Sequence, residues 1–463
     1  MDKKEIKLYL ENLLKNIEKF IESKLTTMGN DIKKREEYYV LKNSIDLFLN
    51  DDKTNRFFIM SGIRGIGKTT ILYQLYDYIK SEKHIPSRNI LYLNLNRLRD
   101  LGEYEICDFF NVYKNDFGFK KDEKILIFID ESQYLDNLNS VEKWINSDEN
   151  KNIFIIFAGS NVISYELDDI NSLEDTIIKM YPLNFIEYLN LNYNYNISLD
   201  VKKDLKNLIL KGETGNLEEI PLNQYIKKHK NEWMNHIQYS SFPNLAQNNV
   251  LQISSTLDIK NEIIEKDLDS ISSFTRLSRL LAYPLLNLLV LEDIKDLALN
   301  KLATTLNISK KNVSNLLFAF ENIQILFHVE PYVSSGKSVR KAWKYFFIST
   351  QFKSAIYQIS KDISINYDEY YDSIAKNLVA SALFKLKDNN YNLYYDATVD
   401  GVEFIVKSNE KIVPVDVNLN EDKLTKAIEE YDAEYGILVI DNLSNIEIKN
   451  NIIYIPLPLF SLI

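Results

Sequence analysis

From Phe57 onward, short continuous apolar runs alternate with amphipathic stretches. The runs are Phe57–Met60 (FFIM), Ile90–Leu95 (ILYLNL), Ile125–Ile129 (ILIFI), Ile153–Ala158 (IFIIFA) and Thr176–Tyr181 (TIIKMY). Runs this short and rich in isoleucine predict strands buried on both faces of a parallel sheet. Helical segments lie between them, the first being TTILYQLYDYI from Thr69. The alternation predicts an α/β fold, a doubly wound parallel sheet with its ligand site at the carboxyl ends of the strands. Ahead of it, MDKKEIKLYLENLLKNIEKF spaces apolar residues as an amphipathic helix does.

The second half has a different texture. Residues 190 to about 270 are polar and mostly helical in pattern, with NLNYNYN as a loop. Residues Leu277 to Tyr332 read helix, helix, turn, helix, strand, with the turn at Asn307-Ile308-Ser309 and Ser309 as N-cap of the last helix. This order predicts a winged helix. Lys310, Lys311, Asn312 and Ser314 would project from the early turns of its second helix, where DNA-reading side chains sit. Between Ser309 and Lys344 there are six basic residues (Lys310, Lys311, Lys337, Arg340, Lys341 and Lys344) and two acidic ones, a local balance of +4. Lys337, Arg340 and Lys341 fall in SSGKSVRKAWK, a candidate wing for phosphate contacts.

Composition narrows the class. A chain of 463 residues suggests about three domains, and 45% hydrophobic with 26% charged residues is ordinary for a folded protein. The apolar run Leu280–Leu291 is too short to span a bilayer and is broken by Pro284 and Asn287. Neither a membrane span nor a secretion signal is expected, and a cytoplasmic location is. One cysteine, Cys107, excludes an internal disulfide, and the four histidines show no metal-ligand spacing. A net charge of -11 argues against a generally nucleic-acid-coating surface, so any such contact must be local.

Only 12 glycines occur, yet Gly62, Gly65 and Gly67 crowd around one lysine. Gly62-Ile63-Arg64-Gly65-Ile66-Gly67-Lys68-Thr69 fits the G-x-x-x-x-G-K-[ST] phosphate loop, between a predicted strand and a predicted helix as the motif requires. The backbone from Gly62 to Thr70 would turn N–H groups toward phosphate oxygens, aided by the positive end of the helix. Lys68 would reach the β and γ phosphates and Thr69 would place its hydroxyl on Mg2+. Sixty residues on, the third predicted strand ends in Asp130 and Glu131. Asp130 suits the outer shell of Mg2+, and Glu131 can polarise the water that attacks the γ-phosphate. The next strand ends in Gly159-Ser160-Asn161, where Ser160 would hold that water or sense the γ-phosphate. The expected ligands are ATP and Mg2+.

In GIRGIGKTT, IFIDESQYLDN, FAGSNV and YPLNFIEYL (Tyr181 to Leu189) the chain resembles prokaryotic AAA-type ATPases whose core precedes a winged helix and a restriction-nuclease-like C-terminal domain. The resemblance covers most of residues 35 to 460, more closely in the first half. It implies a helical segment at 1–55, the P-loop ATPase core at 56–190, a helical linker or lid at 191–270, the winged helix at 271–350 and a degenerate nuclease-like domain at 351–463. Such ATPases often carry a Gly-Arg before the YPL motif, where this chain has Ile178-Lys179. No arginine occurs between Arg99 and Arg276. Arg97, Arg99, Arg276, Arg279 or a residue of a neighbouring subunit is left to stabilise the transferred phosphoryl group. Active nuclease-like relatives use acids and a lysine at positions that here correspond to Lys376, Glu403, Asp416 and Asn418. The helix acid is replaced by lysine and the strand lysine by asparagine, so a structural or nucleic-acid-holding remnant is expected, not cleavage.

The reading is therefore a Mg-dependent ATPase, slow or partner-activated, coupled to a module that engages double-stranded DNA. The alternative is a nucleotide-gated scaffold or switch that joins protein partners or further copies of itself and does not touch DNA. A P-loop kinase is disfavoured, because the stretch after Arg99 offers no basic lid.

Overall fold

Alternating apolar faces explain why the first half of the chain closes on itself. In the strand Phe57–Ser61 (β1), Phe57 and Ile59 face a core shared with Leu10, Phe109, Phe110 and Val141, while Phe58 meets Phe154 and, through it, Phe48. Each fully buried side chain of this kind contributes about 1.5–3 kcal/mol. The structure, a computed structural model, describes the chain apart from residues 29–32, 103, 121, 136, 161–175, 194–199, 216, 218–227, 244–251, 269–275, 292–298, 333–341, 360–366, 388–390, 399, 409–410 and 418–420. It forms two compact units, Met1–Met180 and Tyr181–Ile463.

In the first unit all five expected strands form: β1, β2 (Ile90–Asn94), β3 (Ile125–Asp130), β4 (Ile153–Gly159) and β5 (Ile177–Lys179). Their order is β2-β3-β4-β1-β5 and every pairing is parallel. The helices are α1 (Lys3–Met28), α2 (Glu36–Leu49), α3 (Lys68–Ser81), α4 (Leu95–Leu98), α5 (Ile106–Asp116) and α6 (Leu138–Ile145). Ile6 and Leu10 of α1 join α5 and α6 on one face of the sheet, and Phe48 of α2 packs on the other. This is the doubly wound α/β sheet of a P-loop nucleotide-binding fold. Register brings the strand ends into one row, with Asn94 beside Asp130, Asp130 beside Ala158 and Ser61 beside Gly159.

The second unit holds an eight-stranded mixed sheet. A first antiparallel pair is β6 (Leu326–Tyr332) with β7 (Lys344–Phe347), followed by β8 (Tyr391–Asp396), β9 (Phe404–Ser408), β10 (Ile412–Val417), β11 (Gly436–Ile440), β12 (Glu447–Lys449) and β13 (Ile452–Pro456). Helices Arg276–Leu291, Leu299–Leu306 and Lys310–Asn322 precede β6 in the order the sequence predicts. Asn307 makes the turn with φ of 51°, a left-handed conformation that asparagine tolerates better than most residues. Ser309 Oγ accepts the Asn312 N–H at 3.1 Å, the expected N-cap. The pair β6/β7 joins the strands that follow it, because β6 lies parallel to β8 from Glu330–Tyr394 to Tyr332–Asp396. Among the described residues no helix is long and apolar enough to cross a membrane.

Candidate functional site

The glycine-rich loop leaves the buried end of β1 and enters α3. Gly65 and Gly67 take φ of 90° and 101°, and Gly67 is the N-cap position of α3. A side chain at either would strain the backbone, whereas glycine adopts this curvature freely. The Gly62 N–H donates to Gly159 O at 3.2 Å, tying the start of the loop to the end of β4. Lys68, the first residue of α3, folds its ammonium back on the loop, donating to Gly62 O at 2.6 Å and Ile63 O at 3.0 Å. Arg35 Nη1 donates to Ile66 O at 3.0 Å and braces the outer turn.

Thr69 Oγ1 lies 3.1 and 3.0 Å from the two oxygens of Asp130, so the hydroxyl and carboxylate expected around Mg2+ are adjacent. Asp130 is almost fully buried and also accepts from Tyr92 Oη at 2.7 Å and from the Glu131 N–H at 3.0 Å. Asn94 Nδ2 stands 3.4 Å from it. Burial, then the neighbouring Glu131, raises the Asp130 carboxyl above its ordinary range, while the bonds from Tyr92 and Thr69 oppose the shift. Glu131 sits just beyond the strand with φ of 56° and ψ of 42°, a left-handed conformation that costs a non-glycine residue about 1–3 kcal/mol and collects at functional sites. Its carboxylate is held in a fork, Arg64 Nη1 to Oε1 at 3.1 Å and Nη2 to Oε2 at 3.0 Å. Gln133 Nε2 donates to the same Oε2.

Gln133 also reaches β4, its Oε1 accepting the Ser160 N–H at 3.3 Å. A Cβ on Gly159 would lie 2.5 Å from Ser132 Oγ and 3.1 Å from Gln133 Oε1, so only glycine lets the segment after β3 pack here. Ser160 is buried, and its hydroxyl has no hydrogen-bond partner among the described residues. A buried, unsatisfied hydroxyl beside the loop is chemically suited to a polar ligand atom. Main-chain donors, an ammonium, an adjacent hydroxyl–carboxylate pair and this orphan hydroxyl together fit a Mg2+–triphosphate.

Sequence reasoning missed Tyr92, Asn94, Gln133 and Arg35. The signal for Asn94 was its register opposite Asp130, and for Gln133 its place in DESQYLD; nothing marked Arg35. Of the arginines named for phosphoryl charge, Arg97 lies over the Phe20 ring and Arg99 over the Tyr134 ring. Among the residues considered for DNA, Lys310, Lys311, Asn312 and Ser314 are exposed on the first turns of their helix, whereas Lys337, Arg340 and Lys341 lie outside the described residues. Lys344, counted with the basic wing, instead turns inward. Its ammonium is 3.9 Å from Glu403 and over the Tyr395 ring at 4.5 Å.

The positions likened to a nuclease do converge, apart from Asn418, which lies outside the described residues. Lys376 Nζ pairs with Glu403 Oε1 at 3.1 Å and Asp372 Oδ2 at 2.7 Å. Asp416 Oδ1 accepts the Glu403 N–H at 3.1 Å and faces Lys423 Nζ at 3.3 Å. Burial works against the charge on Glu403, yet Lys376 and Lys344 hold its carboxyl below the usual range. Burial raises Asp416, with Lys423 opposing. Among the described residues no group of three or more His, Cys, Asp and Glu is arranged to hold a metal.

Residues 54–189 match the family model of an AAA domain. An uncharacterized protein of Methanocaldococcus jannaschii is 29% identical over 435 residues, covering 92% of this chain and 89% of that one. Another of Haemophilus influenzae is 30% identical over 149 residues, 32% of this chain and 37% of its own. Of solved structures, the Walker-type ATPase of Pyrococcus abyssi matches with a TM-score of 0.35 and 12% identity over 71% of this chain and 97% of its own. At that distance the likeness carries no argument. The family match spans the same residues as the loop, the β3 acids and the parallel sheet, so in sequence and in fold residues 54–189 are similar to an AAA domain.

Proposed function

We propose that the protein binds ATP with Mg2+ in the Gly62–Thr70 loop and hydrolyses it slowly, using nucleotide state to control its second unit. The observation that carries this reading is the Thr69–Asp130 contact beneath a loop whose two left-handed glycines turn it toward α3. Lys68 exchanges the loop carbonyls for phosphate oxygens, a replacement of neutral acceptors by charged ones that strengthens each hydrogen bond. Thr69 and Asp130 hold Mg2+, which when bound neutralises charge on the β and γ phosphates. Glu131 accepts a proton from the water whose oxygen bonds to the γ phosphorus as the bridging P–O bond to ADP breaks. Ser160 Oγ orients that water or touches the γ-phosphate.

For the second unit we favour contact with duplex DNA through Lys310, Lys311, Asn312 and Ser314, whose exposure at a helix start supports it. The inward turn of Lys344 favours the competing reading, a nucleotide-gated scaffold for protein partners, because it removes one cation from the expected wing. Titrating the full chain with a labelled duplex at several salt concentrations decides between them. A steep fall of affinity with salt supports DNA contact; no binding at about 50 mM salt supports the scaffold.

A further inference from the structure

Arg64 sits inside the phosphate loop, yet its guanidinium points across to Glu131 and engages both carboxylate oxygens. The side chains keep 17% and 23% of their exposure, so the pair is largely withdrawn from the solvent that weakens surface ion pairs. A forked guanidinium–carboxylate contact fixes orientation as well as charge. Gln133 adds a third hydrogen bond on the Oε2 side and is itself fastened to the Ser160 amide. The carboxylate is thus anchored from the loop and from the end of β4, on a backbone already held left-handed at Glu131.

A general base must offer an oxygen lone pair, rightly aimed, to its water. The fork opposes this, because an Arg64 N–H is spent on each carboxylate oxygen and Gln133 takes a second site on Oε2. We infer that Arg64 is an intrachain brake on hydrolysis: paired with Glu131 it keeps the base from its water, and turnover is slow until an anchor of the carboxylate is displaced. This rests on the ATPase reading above and adds to it the residue that sets the basal rate. Gln133 is the second anchor, a positioning residue through which movement at the end of β4 would reach the same carboxylate.

The test is the single-turnover rate of phosphate release from saturating ATP with Mg2+, measured on the full chain. Arg64→Gln removes the charge and the fork, and the rate should rise by about fivefold or more, the lower end of ordinary intramolecular coupling. Adding Glu131→Gln to that variant should abolish the gain, as release through the freed carboxylate requires. Arg64→Lys keeps the charge but cannot engage both oxygens, and its rate should lie between parent and Arg64→Gln. A rate at or below the parent's in Arg64→Gln overturns the brake. If Arg64→Gln does not fold, Arg64→Lys decides by the same criterion. The ATPase reading fails separately, if the parent releases phosphate no faster than Lys68→Ala; Lys68-dependent release with no gain from either Arg64 variant rejects the brake alone.

Discussion

Single side chains here carry consequences that differ in sign. Gly67 holds φ of 101° where the loop enters α3, and an alanine forced into that region costs about 1–2 kcal/mol. Gly67→Ala should lower the melting temperature of the first unit and weaken nucleotide binding together, as calorimetry and titration with a fluorescent ATP analogue would show. Glu403 and Asp416 offer a pH test. Lysines lower Glu403 from its ordinary 4.5, so its contribution to stability is present above that pH and fades as pH falls through the lower folded value. Asp416 is raised from 3.8, so its ionised form costs stability above the raised folded value and nothing once protonated. Near pH 7, Glu403→Gln should destabilise the second unit by roughly 2 kcal/mol, less than the about 3–5 kcal/mol of a wholly broken buried pair. Asp416→Asn, which keeps an acceptor for the Glu403 N–H, should instead stabilise it. Melting curves should show the Glu403→Gln deficit holding from pH 7 to about 4.5 and shrinking as the pH falls below that.

Between residues and domains, helices and strands were the most legible features of the sequence. Phe57–Ser61, Ile125–Asp130 and Ile153–Gly159 were readable because a strand buried on both faces has no polar positions to blur its limits. The helix Lys310–Asn322 was readable from its cap, and Ser309→Ala should cost about 1 kcal/mol, seen as a lower melting transition of the second unit. If that helix meets DNA, replacing both Lys310 and Lys311 by glutamine should reduce the salt slope of duplex binding by about 2, near one for each phosphate left without its lysine. Lys344 was misjudged because charge counting ignores direction, and its ammonium faces Glu403. The Arg64–Glu131 fork was invisible for a related reason. It joins residues 67 positions apart through the curvature of a loop, and no periodicity encodes that distance.

Across the chain, the order of elements followed from hydropathy, but the joining of β6 to β8 did not. That pairing brackets a long helical stretch and makes one sheet of the hairpin and the strands after it. The pairings run on from β8 to β9, which Glu403 immediately precedes, and to β10, which bears Asp416. The loop's strand–turn–helix setting was legible because its pattern is local, eight residues between one strand and one helix, while the placing of Asp130 and Glu131 at a strand end required only a further apolar strand to be recognised. Whether those parts act together is decided by measuring ATP binding and phosphate release on the full chain for the parent, Lys68→Ala and Glu131→Gln. Binding should fall at least about tenfold in Lys68→Ala, which gives up one charge-assisted hydrogen bond to phosphate. Glu131→Gln should bind ATP like the parent yet release phosphate at least about tenfold more slowly, below the about 10²–10⁴-fold of an unrestrained base. Unchanged binding and release in both variants would contradict the account.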